Sequence, residues 1–247
     1  MIKKIILGFS TIAVLGYLGT VGYVYHYDQQ RLPAVANNRI DTLLTQYGCD
    51  YCHTRSAQLP FYTQLPLVDQ FIEHDITQGM RHFDLAATRT ALQNDQPVPE
   101  VDLAKLEAVL QNNEMPPKLY KVMHWAANIS EADRAVLMKW IQQQRAENYA
   151  HSETPIHLRT AALRPVPESL STDARKVALG ERLYHDPRLS KDNTLSCASC
   201  HQLDAGGDDG RIASIGINNQ RGLINAPTVF NAVFNNTQFW DGRSANL

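Results

Sequence analysis

The chain has 247 residues, 44% of them hydrophobic and 19% charged, and a formal net charge of −2. Without a basic excess there is no electrostatic case for nucleic acid as a partner. Its 13 glycines and 12 prolines are too few to imply disorder, so the body is read as one to two small folded domains.

The first element is an apolar, uncharged run over residues 5–25 (IILGFSTIAVLGYLGTVGYVY), which follows Lys3 and Lys4. A helix of about 20 such residues can cross a hydrocarbon core. The lysines favour a cytoplasmic N-terminus, and Tyr17, Tyr23 and Tyr25 suit the far interface. A cleaved signal peptide is the alternative, but the run ends in Val24-Tyr25-His26-Tyr27 rather than in small residues. The expectation is a retained single-pass anchor in a bacterial inner membrane, with the rest of the chain in the periplasm.

Residues 26–40 then read as a polar stalk. A short helix is expected over 39–47, with Ile40, Leu43 and Leu44 on one face and Gly48 ending it. Residues 58–67 are a proline-punctuated loop. Helices follow over 68–82 and over 99–113, the second marked by Val101, Leu103, Leu106, Val109 and Leu110. Ser130-Glu-Ala-Asp133 has the form of a capping box, opening a helix to about Tyr149. Residues 150–168 contain three prolines and no periodicity, and are read as a linker. Thr172 then caps a helix through Leu183. No alternating strand pattern appears after residue 26. The fold class is mostly α, with a domain over 26–149 and a second over 169–247.

All four cysteines fall in two copies of one motif, Cys49-Asp-Tyr-Cys52-His53 and Cys197-Ala-Ser-Cys200-His201. Cys-x-x-Cys-His is the attachment signature of c-type haem, with a thioether from each sulfur and the histidine as proximal iron ligand. A four-cysteine zinc site or a dithiol redox centre is the competing reading, but neither needs a histidine after each pair. Two covalently bound haems c are therefore expected, with His53 and His201 as their proximal ligands. Attachment outside the cytoplasm fits an exported chain.

The first haem needs a sixth ligand if it is to transfer electrons. Met115, in a loop stiffened by Pro116 and Pro117, is the candidate, because a thioether raises the potential and blocks substrate. Met80, Met123, Met138 and His124 are its rivals. Cys-x-x-Cys-His, Pro60-Phe-Tyr62, Asp75-Ile76, Met115-Pro-Pro117, Tyr120, His124 and the Ser130 helix together resemble the small cytochrome-like haem-binding domain of bacterial periplasmic proteins. That resemblance supports Met115 as distal ligand.

Beyond His201 the chain has no methionine, histidine or lysine, so its own C-terminal part offers no strong sixth ligand. An open iron is where peroxide binds and its O–O bond breaks. A ligand from elsewhere, such as His157 or His185, is the alternative.

The second motif's surroundings resemble the bacterial di-haem cytochrome c peroxidase and MauG-type family. The resemblance rests on Val177–Ser190, Leu195–His201, Gly206-Gly207-Asp208-Asp209-Gly210-Arg211, Ser214-Ile-Gly216, Asn225–Asn235 and Phe239-Trp-Asp-Gly-Arg243. With the extra haem domain and anchor, the whole resembles the family's membrane-anchored tri-haem branch.

This resemblance implies reduction of hydrogen peroxide to water at the second haem. Electrons would come from the quinol pool or a periplasmic cytochrome through the first haem. It implies that Trp240 lies on the inter-haem electron path and that Asn225 is one ligand of a calcium ion, which needs several more oxygens. Two departures stand out. Ile217 occupies the place of a histidine that blocks the resting iron in many members. The family's distal acid–base pair and its third haem domain lie beyond Leu247, so the chain reads as C-terminally truncated, with little turnover alone. The alternatives are a non-enzymatic electron-transfer cytochrome and a MauG-like oxidase acting on a protein partner.

Overall fold

A computed structural model describes residues 2–32 and 38–244, with side chains followed from Ser10. Residues 33–37 of the expected stalk, and 245–247, lie outside the described residues. The chain divides into two units, one up to Arg164 and one from Pro165. Among the described residues there is no strand, and ladder contacts are limited to the isolated bridges Gln202–Asp208, Ile215–Arg221 and Gln238–Ser244.

The first unit is helical. It contains α1 (Ile2–Gln30), α2 (Arg39–Gln46), α3 (Cys49–His53), α4 (Val68–His82), α5 (Ala86–Gln93), α6 (Glu100–Asn112), α7 (Lys118–Met123) and α8 (Glu131–Asn148). Asn38 caps α2 by accepting from the Ile40 and Asp41 amides, and Ile40, Leu43 and Leu44 face inward. They meet Phe83, Leu85, Val98, Leu103, Leu110, Leu137 and Ile141 in one buried cluster. Removing each such side chain from water is worth about 1.5–3 kcal/mol, which makes this cluster the main stabilising element.

The expected capping box at Ser130 is half formed. Its hydroxyl accepts from the Asp133 amide at 3.1 Å, but its own amide donates to the Tyr47 hydroxyl at 3.3 Å. Tyr47 in turn donates to Asp133 at 2.7 Å, so the C-cap residue of α2 takes the place of the box's second arm. Helices α5 and α7 were not anticipated. The first has a buried face of only Thr88 and Ala91, and the second is a single short stretch with no buried residue.

The mostly α fold class holds, but its expected transmembrane anchor over 5–25, and with it the single-pass inner-membrane location, is overturned. No helix among the described residues is long and apolar enough to cross a membrane. The physical reason lies in what the second half of α1 touches. Val21 and Val24 are buried, and the Tyr17 hydroxyl donates to the Val122 carbonyl at 2.6 Å. Tyr23 packs edge-on against Phe61 with centroids 5.0 Å apart. Two of the tyrosines assigned to a lipid interface, Tyr17 and Tyr23, thus spend part of their surface on protein. Nor does a stalk begin at residue 26. Tyr27 donates to the Leu59 carbonyl at 3.2 Å, and Asp28 accepts from Tyr51 and His124.

The expected linker is partly anchored too. Arg145 of α8 is fully buried, reaching Glu100 at 2.7 Å, Glu107 at 2.6 Å and the Thr160 carbonyl at 3.4 Å. Arg164 lies 3.6 Å from Glu100, so residues 150–164 belong with the first unit.

The second unit contains α9 (Ala174–Tyr184), capped by Asp173 through the Arg175 amide, and a succession of short 3-10 turns. Its buried hydrophobic residues among those described are Ala213 and Ala226.

Candidate haem sites

In the first unit, α3 is a single turn that presents Cys49, Cys52 and His53. Helix α4 crosses it at Gly79, where a Cβ would run into the Cys52 carbonyl, so only glycine permits this approach. His53 Nδ1 lies 2.7 Å from the Phe83 carbonyl, and Leu85 returns a hydrogen bond to the His53 carbonyl at 2.9 Å. A carbonyl only accepts, so Nδ1 carries the proton and Nε2 is left with its lone pair. Iron-ligating histidines are commonly oriented in this way.

Burial pushes the Cys49 thiol up to about 12 and the Cys52 thiol up to about 11. A dithiol redox centre works through a depressed thiol, so that alternative is disfavoured.

A cavity of about 410 Å³ opens beside Cys52, walled by Pro60, Ile72, Leu119, Tyr120 and Met123. Its mostly apolar lining suits a porphyrin face. Met115 lies between α6 and α7, 36% exposed, just before a cis peptide bond to Pro116, and is not one of the cavity's wall residues. Its rival Met123 is. Met138 packs against the hydrophobic core instead. His124 has both ring nitrogens engaged, Nδ1 with Asp28 at 2.8 Å and Nε2 with Tyr62 at 2.9 Å, which leaves none for iron.

In the second unit, Cys197 opens a 3-10 turn and is exposed, with Cys200 and His201 following. His201 Nδ1 lies 3.0 Å from the Pro227 carbonyl and 3.3 Å from the Gly207 carbonyl. The proton is again on Nδ1 and Nε2 is free. The Tyr184 hydroxyl donates to the His201 carbonyl, tying α9 to the motif. Gly207 has φ of +81°, and a Cβ there would sit 2.7 Å from Thr228 Oγ1. Thr228 itself donates to the Gly206 carbonyl at 2.7 Å, and the Val229 amide donates to the Gly207 carbonyl at 3.2 Å. These bonds bring the Asn225–Asn235 segment under the histidine.

A cavity of about 520 Å³ adjoins Cys200, lined among others by Leu195, Asp209, Arg211, Ile217 and Asn219. Ile217, read from sequence as standing in place of a blocking histidine, is on this wall. Trp240 is 62% exposed and donates from Nε1 to the Asn225 carbonyl at 3.2 Å. The structure therefore joins two residues singled out separately, with Asn225 two positions before the carbonyl that holds His201. Of the alternative ligands, His157 falls in the first unit and His185 closes α9.

What the sequence reading missed is the supporting layer: Phe83, Gly207 and Pro227 as carbonyl partners, and Asp28 as a partner of His124. The carbonyls carry no side-chain signal. Asp28 was hidden by its place at the end of an apolar run.

Two helical or loop-built units, each with a Cys-x-x-Cys-His turn and an oriented imidazole, define a haem-binding class of protein. Residues 17–143 match the haem-binding domain family, and residues 174–247 match the di-haem cytochrome c peroxidase family. The chain is 49% identical to "Cytochrome c peroxidase Ccp" of Escherichia coli (strain K12), covering 98% of this chain and 53% of that protein. It is 43% identical over 99 residues to "Cytochrome c551 peroxidase" of Pseudomonas aeruginosa, covering 29% of it. Over 83 residues it is 36% identical to "Methylamine utilization protein MauG" of Methylorubrum extorquens, covering 24% of it. The chain belongs to the haem-binding domain family through its first unit, and its second unit is similar to the di-haem cytochrome c peroxidase/MauG family. It spans about half the length of the first of these relatives and about a quarter of the other two.

Proposed function

We propose that each Cys-x-x-Cys-His motif binds one haem c covalently, and that the chain serves reduction of hydrogen peroxide to water in a cytochrome c peroxidase. The observation that carries this reading is the shared state of His53 and His201, each with Nδ1 tied to a backbone carbonyl and Nε2 free. Bound haem supplies the redox-active iron; the protein supplies the rest. Cys49 and Cys52, like Cys197 and Cys200, would hold the porphyrin through thioether bonds, and His53 and His201 would each offer Nε2 to the iron. The apolar walls beside Cys52 exclude water from the first site.

In this reading the first haem is a relay, with Met115 as its sixth ligand, accepting electrons from a c-type cytochrome or quinol. The second is the peroxide site, with Ile217 on its cavity wall in place of a ligating side chain. Trp240 lies on the electron path out of the second site, and Asn225 is one oxygen ligand of a calcium ion. The whole activity is proposed for a protein of the relatives' length.

The test is haem stoichiometry by pyridine haemochrome assay on the chain matured with haem c. Two haems per chain are expected, falling to one in Cys49→Ser/Cys52→Ser and to one in Cys197→Ser/Cys200→Ser. Unchanged stoichiometry in either variant removes that motif from the account. In the variant keeping only the first haem, Met115→Ala should abolish the methionine-to-ferric-iron charge-transfer band. Loss in Met123→Ala instead would reassign the ligand.

A further inference from the structure

Asp28 stands on α1 at the edge of the first site, its side chain 14% exposed. One carboxylate oxygen accepts from the Tyr51 hydroxyl at 2.6 Å, and the other accepts from His124 Nδ1 at 2.8 Å. Because a carboxylate only accepts, the imidazole proton is on Nδ1. His124 Nε2 then accepts from the Tyr62 hydroxyl at 2.9 Å. Tyr120 stacks on the His124 ring, 3.9 Å away and 4° from parallel.

Tyr51, Tyr62, Tyr120 and His124 all line the cavity beside Cys52. Burial raises all three phenols, which keeps them neutral. The nearby cation, Arg31, is paired with Asp50 and lies over the Tyr51 ring. Among the described residues no lysine or arginine pairs with Asp28. Asp75 is a carboxylate on the cavity wall itself. Asp28 adds a second negative charge directly behind Tyr51 and His124, which those hydrogen-bond partners spread but do not cancel.

We propose that Asp28 is a positioning residue of the first haem site, which orients the hydroxyls of Tyr51 and Tyr62 and lowers that haem's reduction potential with its charge. Ferric haem carries one more positive charge than ferrous haem, so a negative wall favours the oxidised form. Two unit charges on the order of 12 Å apart, at an effective dielectric of about 20, interact by roughly a factor of ten, which sets the scale expected here. Nothing of this was visible while residues 26–40 read as a stalk. The inference rests on the proposed binding of haem at Cys49 and Cys52.

The test is spectroelectrochemical titration of the haem-loaded chain, with the first haem identified by its loss in Cys49→Ser/Cys52→Ser. Asp28→Asn, which keeps the shape, should shift that haem's reduced-to-oxidised equilibrium about tenfold towards reduced, about 59 mV for a one-electron couple. Asp28→Glu should restore the wild-type value. His124→Gln keeps the carboxylate and should move the potential less than Asp28→Asn. An unchanged potential in Asp28→Asn with full haem content overturns the proposal and leaves the haem reading intact. Absence of haem from Cys49 and Cys52 in the wild type would overturn the reading beneath it. Asp28→Ser is the substitute if the Asn variant does not accumulate. Loss of both variants would mean that the residue's role is purely structural, against the proposal.

Discussion

Cys49–His53 sits in a unit with a continuous hydrophobic core, whereas Cys197–His201 sits in one where Val177, Leu189, Leu223, Phe230 and Val233 are all exposed. The two motifs orient their histidines alike, yet they depend on different things to do so. Phe83, whose carbonyl holds His53, belongs to a buried cluster that forms from the chain's own side chains. Gly207 and Pro227, which hold His201, are fixed by local bonds such as Thr228 to Gly206. A small unit that buries so little apolar surface is marginal without an added centre. On the proposed reading a covalently tethered porphyrin would be such a centre, making the cofactor part of the fold in the second unit, while in the first it would fill a space the fold already has.

This contrast predicts a large difference in the haem-free chain. Limited proteolysis should degrade the part from Pro165 onward first and leave a resistant fragment ending near Arg164. Haem attachment at Cys197 and Cys200 should lengthen survival of the second unit by at least about tenfold. Equal resistance of both units without haem would erase the distinction.

A second effect should separate the units by mutation. Arg145→Ala leaves buried Glu100 with only Arg164 at 3.6 Å and removes the partner of the part-buried Glu107, at a cost of about 3–5 kcal/mol. Urea unfolding should show that loss in the first unit, with His201-dependent haem signals unchanged.

The mildest effect concerns pH. With its thiol raised from 9.0 to about 12 in the folded chain, Cys49 contributes stability that is present below pH 9. Between pH 9 and about 12 the unfolded chain gives up the proton while the folded chain keeps it, so that stability is lost as pH rises. Haem-free Cys49→Ser should show a shallower alkaline decline of the first unit than the wild type. Identical slopes would place the thiol outside the core.

The haem attachment residues were legible because the motif is dense in chemistry, and α2, α6 and α8 were legible because each turns apolar residues inward, such as Leu43 and Leu44, Leu103 and Leu110, and Leu137 and Ile141. Residues 5–30 were misread for a physical reason. Hydropathy counts apolar side chains, and cannot tell a face directed at lipid from Val21 and Val24 directed at a domain. The same error concealed Asp28, whose partners Tyr51 and His124 are 23 and 96 residues away. In the second unit the sequence pointed to Trp240 and Asn225 separately; their hydrogen bond through a backbone carbonyl has no signature in residue types.

The central claim is that the two sites are unequal, one filled and one open. Ferric absorption and magnetic circular dichroism spectra of the two-haem chain, recorded before and after hydrogen peroxide is added, test it most directly. The account predicts one low-spin haem that peroxide leaves unchanged, and one high-spin haem that responds and disappears in Cys197→Ser/Cys200→Ser. Two low-spin haems indifferent to peroxide would contradict it.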